Sequence, residues 1–215
     1  MNLQALYVSW VDLLVAIVLL WGIRCGRKRG MSEEILSLGQ WLVILVVAAF
    51  GYPLMGGMLA QTGLVGLLWA NLICYLGLAV LVKLAFSGLR KSVGEKLLQS
   101  EVFGGGEYYL GMMAGGVRYV CIVLVCFSLL HAREFTRQDR ASSVAWQKEH
   151  LGSELFPTMV DLQDEVFTRS WAGQVASDYL SVVLIRPASK NQASIRDHRR
   201  VNARERAWQE ILEKR

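Results

Sequence analysis

The sequence predicts an all-α, polytopic membrane protein: four transmembrane helices followed by a helical, partly disordered C-terminal tail. Three observations carry that expectation. The 215 residues are 53% hydrophobic and 19% charged. The 48 residues from Ile35 to Val82 contain no Asp, Glu, Lys or Arg, about twice the ~20 apolar residues a helix needs to cross a bilayer. Residues 131–215, by contrast, hold 26 of the 41 charged side chains. The chain is therefore read as a membrane domain over 1–130, an amphipathic helical segment outside the membrane over 131–186, and a charged tail over 187–215.

Four spans account for the apolar part. The first covers about 6–23, interrupted by Asp12. The charge-free run divides into spans of about 35–52 and 64–86, with a break expected between Gly51 and Gly66, where Pro53, Gly56, Gly57 and Gly63 cluster. The fourth covers 108–130 and carries Arg118. At 1.5 Å per residue each span just covers a hydrocarbon core of ~30 Å.

Lys and Arg close to span ends are retained on the cytoplasmic side. The first loop holds Arg24, Arg27, Lys28 and Arg29, and the third holds Arg90, Lys91 and Lys96. Both loops are expected inside, so the amino terminus and the tail are expected outside. The same rule explains a formal charge of +5 without nucleic acid, and no nucleic-acid partner is expected. The amino end has no Lys or Arg ahead of its apolar stretch, so that stretch is expected to stay rather than be cleaved as a signal. Cys25, Cys74, Cys121 and Cys126 lie within or beside apolar segments without CxxC spacing. They read as small buried hydrophobes, not as a disulfide or zinc framework.

The tail repeats apolar residues three or four apart over 144–184, an amphipathic helical pattern divided near Gly152 and Pro157. After Arg186 come eight basic and four acidic residues in a helix-prone but weakly apolar stretch, a composition compatible with disorder until bound.

Gly22, Gly26 and Gly30 recur at four-residue spacing, and Gly111 and Gly115 do so in the fourth span. Small residues at this spacing let helices approach closely in membranes, within the chain or between copies; the first set could instead loosen a cytoplasmic turn. Asp12 and Arg118 are costly inside a bilayer, ~2.5–3.5 kcal/mol each at mid-span. Span counting leaves them about 6–9 Å apart along the membrane normal, within reach of a structural ion pair. The alternatives are an interfacial position for Asp12 with Arg118 serving an anionic headgroup, or a polar transport pathway. His131, His150 and His198 show no metal-ligand spacing, no Ser is framed as GxSxG, and Gly104, Gly105 and Gly106 lack the Lys-Ser/Thr of a phosphate loop. No enzymatic activity, metal or cofactor is expected.

Taken together, Trp10-Val11-Asp12, the passage Arg29-Gly30-Met31-Ser32-Glu33-Glu34-Ile35-Leu36-Ser37-Leu38 leading to Trp41, Gly111-x-x-x-Gly115-x-x-Arg118, and Trp146 followed by Ser153-Glu154-Leu155-Phe156-Pro157 resemble the CvpA family, the colicin V production proteins of bacterial inner membranes. Glu107 stands where the family commonly has Asp. The resemblance covers residues 10 to about 160 and implies a plasma-membrane protein linked to colicin V production or export, envelope homeostasis and biofilm formation. Within the matched passage Gly30, Glu34 and Ser37 read as the start of the second span, Ser32 as a candidate cap, and Glu33 and Glu34 as suited to the positive helix end. Two functional classes follow: a non-enzymatic membrane factor whose tail meets an envelope protein, or a small oligomeric channel or transporter subunit using Asp12 and Arg118.

Overall fold

In a computed structural model, residues 9–63, 65–98, 106–133, 135 and 158–187 are described, the side chains of 91–98 excepted. Three helices are long and apolar enough to cross a membrane: α1 (Trp10–Gln61), α2 (Leu67–Leu98) and α3 (Glu107–His131). Among the described residues there is no strand.

Helix α1 starts where Ser9 accepts a hydrogen bond from the Val11 backbone N–H at 3.3 Å, leaving one fewer orphan donor in its first turn. It does not run straight. Gly30 has φ 75° and ψ 173°, a conformation that costs a residue with a Cβ dearly and glycine little. There the helix folds back on itself. Val11 and Leu45 share one apolar cluster, with Val15 and Trp41 packed against it, so the arms 10–29 and 31–61 lie antiparallel. The four expected rods are thus the two arms of α1, joined at Gly30, together with α2 and α3. Ser32 lies one residue inside the second arm, not at a cap, because the helix resumes as soon as Gly30 has turned the chain.

The break expected between Gly51 and Gly66 is narrower than the glycine and proline cluster implied. The second arm continues to Gln61 with Pro53 inside it, and the turn occupies Thr62 to Gly66, with Gly63 at φ 79°. Gly51 and Gly56 serve packing instead. A Cβ on Gly51 would meet the Leu78 side chain at 2.6 Å, and one on Gly56 would collide with Asn71. At 31 residues the second arm is about 46 Å long, and its last nine residues rise beyond Tyr52, which lies in one cluster with Ala132 at the end of α3. Helix α2 returns along this arm, Asn71 at its outer end and Phe86 and Arg90 near the other. Only 6% of its apolar window is buried; Trp69, Ile73, Val80 and Leu84 face outward, as suits a helix solvated by lipid.

Helix α3 packs against both arms of α1. Beyond it, residues 158–187 form a small cap: α4 (Met159–Asp164), a wide π-helical turn (Glu165–Arg169), α5 (Trp171–Tyr179) and an irregular return. Thr158 and Asp161 close a reciprocal capping box at the start of α4. Ser170 caps α5, and Gly173 lets α5 lie directly on the Val166 backbone. Val166, Ala176 and Leu184 join Val11, Leu45, Leu124 and Phe127 in one buried cluster, so cap and bundle share a core.

Candidate functional site

Two polar centres lie in this framework, one at each end of the α1–α3 contact. The first begins with the glycines. The first arm runs antiparallel to α3, and Gly22 faces the Tyr119 ring, Gly26 faces Gly111 and Gly115, and Gly30 faces Glu107. A Cβ on Gly26 would stand 2.9 Å from the Gly115 Cα, and one on Gly115 would stand 2.8 Å from the Gly26 Cα. Both partners are backbone and cannot step aside. The two glycine faces read from the sequence are thereby filled by each other within one chain.

That close approach sets the place of Glu34, one turn beyond Gly30. Its carboxylate is fully buried, 2.6 Å from Arg118 Nη1 and 3.7 Å from Arg29 Nη1. The Arg118 side chain is 8% exposed and the Arg29 side chain 49%. Arg118 also lies over the Tyr119 ring, its guanidinium carbon 4.9 Å from the centroid; its Nε is buried and has no hydrogen-bond partner among the described residues. One turn further, the Ser37 hydroxyl accepts from Arg90 at 2.5 Å, tying α2 to the same end of the bundle. Pairing is what permits a carboxylate and a guanidinium to be buried here, because either alone would carry the full desolvation cost.

Asp12 forms the second centre. Its carboxylate accepts from the Ser170 hydroxyl at 2.7 Å and from the backbone N–H groups of Trp171 and Ala172 at 3.1 and 3.0 Å. A residue of α1 thus caps α5, where the orphan N–H groups and the helix dipole both favour negative charge. Beside it the Ser9 hydroxyl donates to Glu165 at 2.9 Å. The irregular return of the cap is held similarly. Ser128 accepts from the Ile185 N–H at 3.0 Å, His131 Nδ1 donates to the Ile185 carbonyl at 2.9 Å, and Tyr52 accepts from the Arg186 N–H at 2.8 Å. Gln163 donates to the carbonyls of Leu130 and Arg133.

Asp12 and Arg118 do not pair with each other. Because Gly22 lies against Tyr119, Asp12 stands ten residues, about 15 Å, further along than the level of Arg118. That exceeds the 6–9 Å read from span ends, and each charge finds another partner. Glu34 was legible only as a residue suited to a helix start. The signal for its actual place is the stripe Gly22, Gly26, Gly30, Glu34 and Ser37, all buried, at steps of four, four, four and three. Nothing local in the sequence could pair Asp12 with Ser170, 158 positions away. Trp146, Ser153 and Pro157 lie outside the described residues. Among the described residues no group of three or more His, Cys, Asp or Glu is placed to hold a metal ion.

Membrane-length helices locked by facing glycines, a buried carboxylate–guanidinium pair between them and a helical cap docked at one end define a multi-pass helical membrane protein. The family model described as colicin V production protein matches residues 11–163, and the chain belongs to that family. Asp12, Gly30, Glu34, Gly111, Gly115 and Arg118 lie inside the matched stretch, whereas Ser170 and α5 lie beyond it. No curated protein and no solved structure matches the chain significantly.

Proposed function

We propose that this protein is a non-enzymatic plasma-membrane factor of colicin V production and export, and of envelope homeostasis and biofilm formation, that presents its cap to an envelope partner on the extracytoplasmic side. Membership of the colicin V production family supports the setting. The observation that carries the reading is the docking of residues 158–187 onto the bundle through Ser9, Asp12, Tyr52, Ser128 and His131. A tail fixed this way offers a shaped surface, and its outward side carries Met159, Trp171, Tyr179 and Val182, all at least 67% exposed. Aromatic residues of this kind anchor protein contacts. Charge supports this sidedness: Ser9 and the cap share one end, while Arg24, Arg27, Lys28, Arg29 and Arg90 gather at the other, the end that the positive-inside rule favours for the cytoplasm. Removing residues 131–215 should abolish toxin release in a complementation assay while membrane insertion persists; full complementation by the truncated chain would refute the reading.

A second reading, a channel or transporter subunit, is favoured by the buried Glu34–Arg118 pair and by an Arg118 Nε without a hydrogen-bond partner among the described residues, because intramembrane charges commonly mark polar pathways. Copies would meet through α2, whose apolar window is almost wholly uncovered. Solute flux in proteoliposomes that changes with Arg118→Gln would favour it.

A further inference from the structure

At the basic end of the bundle, a cleft of about 600 Å³ opens between the last turns of the first α1 arm and the first turn of α3. Its walls are Arg24, Arg27, Lys28, Tyr108, Tyr109 and Met112. The three cations stand at i, i+3 and i+4, so one helix face presents them together. All three are exposed, and none makes an ion pair among the described residues. Arg29, by contrast, turns toward Glu34, and the Glu107 side chain is turned against Gly30. Among the described residues, the cleft walls thus hold three positive charges, two phenol donors and no carboxylate.

We propose that this cleft binds the phosphate-bearing headgroup of an anionic phospholipid. Phosphate chemistry follows from the wall: guanidinium and ammonium groups with phenol hydroxyls, beside the amino end of the 25-residue α3, whose free N–H groups add to the positive potential. Lipid rather than free phosphate follows from what adjoins it. One turn toward mid-membrane the same faces become apolar, with Leu20 and Trp21 at 65% and 63% exposure on α1 and Met113 at 70% on α3. A headgroup seated among the cations would lay its acyl chains along these exposed side chains.

The test uses the full chain purified in neutral detergent, with the thermal unfolding midpoint followed during titration with phosphatidylglycerol, phosphatidylcholine or inorganic phosphate. Phosphatidylglycerol should raise the midpoint saturably, and the other two should not. Arg27→Gln/Lys28→Gln should weaken that response about ten-fold or more, since a cation near an anionic lipid surface contributes roughly five-fold. If the double variant fails to insert, Arg24→Gln should weaken the response and Arg24→Lys should retain it. Equal stabilisation by phosphatidylcholine would overturn the headgroup claim. Equal stabilisation by inorganic phosphate would show a free-anion site and overturn the lipid claim. An unchanged response in the Gln variants would place any lipid elsewhere and overturn the cleft.

Discussion

Replacing Arg118 with Leu should cost the folded bundle about 3 kcal/mol. Glu34 is fully buried and Arg118 nearly so, with 2.6 Å between them; removal of one member of a buried ion pair typically costs about 3–5 kcal/mol, because the survivor remains desolvated and uncompensated. Arg29 lies 3.7 Å away and offers some relief. It is half exposed, however, and such pairs are worth only about 0–1 kcal/mol, which brings the expectation to the low end of the range. Removing both charges should be far milder: in Glu34→Leu/Arg118→Leu no buried charge is stranded, and replacing a buried pair with apolar groups is often close to neutral. The assay is reversible unfolding in mixed micelles, followed by tryptophan fluorescence, on the two single variants and the double. The expected result is two costly singles and a double that recovers at least half the loss. A double variant whose cost equals the sum of the singles, or an Arg118→Leu variant within about 0.5 kcal/mol of the parent, would refute the reasoning, since uncoupled sites add to within about 0.3–0.5 kcal/mol and a coupled buried pair must depart from additivity by more.

Other outcomes follow from the same contacts. Gly26→Leu should destabilise the α1–α3 contact by more than about 1–3 kcal/mol, the usual range for overpacking, because a Cβ there meets only backbone; the unfolding assay above reads it. Asp12→Ala removes three hydrogen bonds at the start of α5, at about 1 kcal/mol or more for loss of a cap. Limited proteolysis should then cleave within 158–187 sooner, while the membrane bundle stays intact. Phe127→Ala, which empties a site packed against Phe167 at 5.9 Å between centroids, should cost about 3–5 kcal/mol and raise cleavage of the cap as well.

Helical class and membrane character were legible because they depend on local quantities: charge-free length, hydropathy and the spacing of apolar residues. The glycine faces were legible for the same reason, since four-residue spacing alone places Gly22 with Gly26 and Gly111 with Gly115 on a helix surface. Partners were not legible. Asp12 caps a helix beginning 159 residues later, and the helix register set by Gly26 against Gly115 carries Arg118 to Glu34 rather than to Asp12. Gly51 and Gly56 misled for a related reason: inside a membrane hairpin they make room for Leu78 and Asn71, Pro53 lies within the helix, and the chain reverses further on, where Gly63 has φ 79°.

The docking of the cap on the amino-terminal end of the bundle is tested most directly by cross-linking. Leu13 and Trp171 are exposed neighbours of the Asp12 latch, so a cysteine-free chain carrying Leu13→Cys and Trp171→Cys should be joined within one molecule by a short bis-maleimide in native membranes. Joining should weaken when Asp12→Ala is added. Two thiols that both label fully yet never cross-link, or that link only between differently tagged copies, would contradict a cap held on its own bundle.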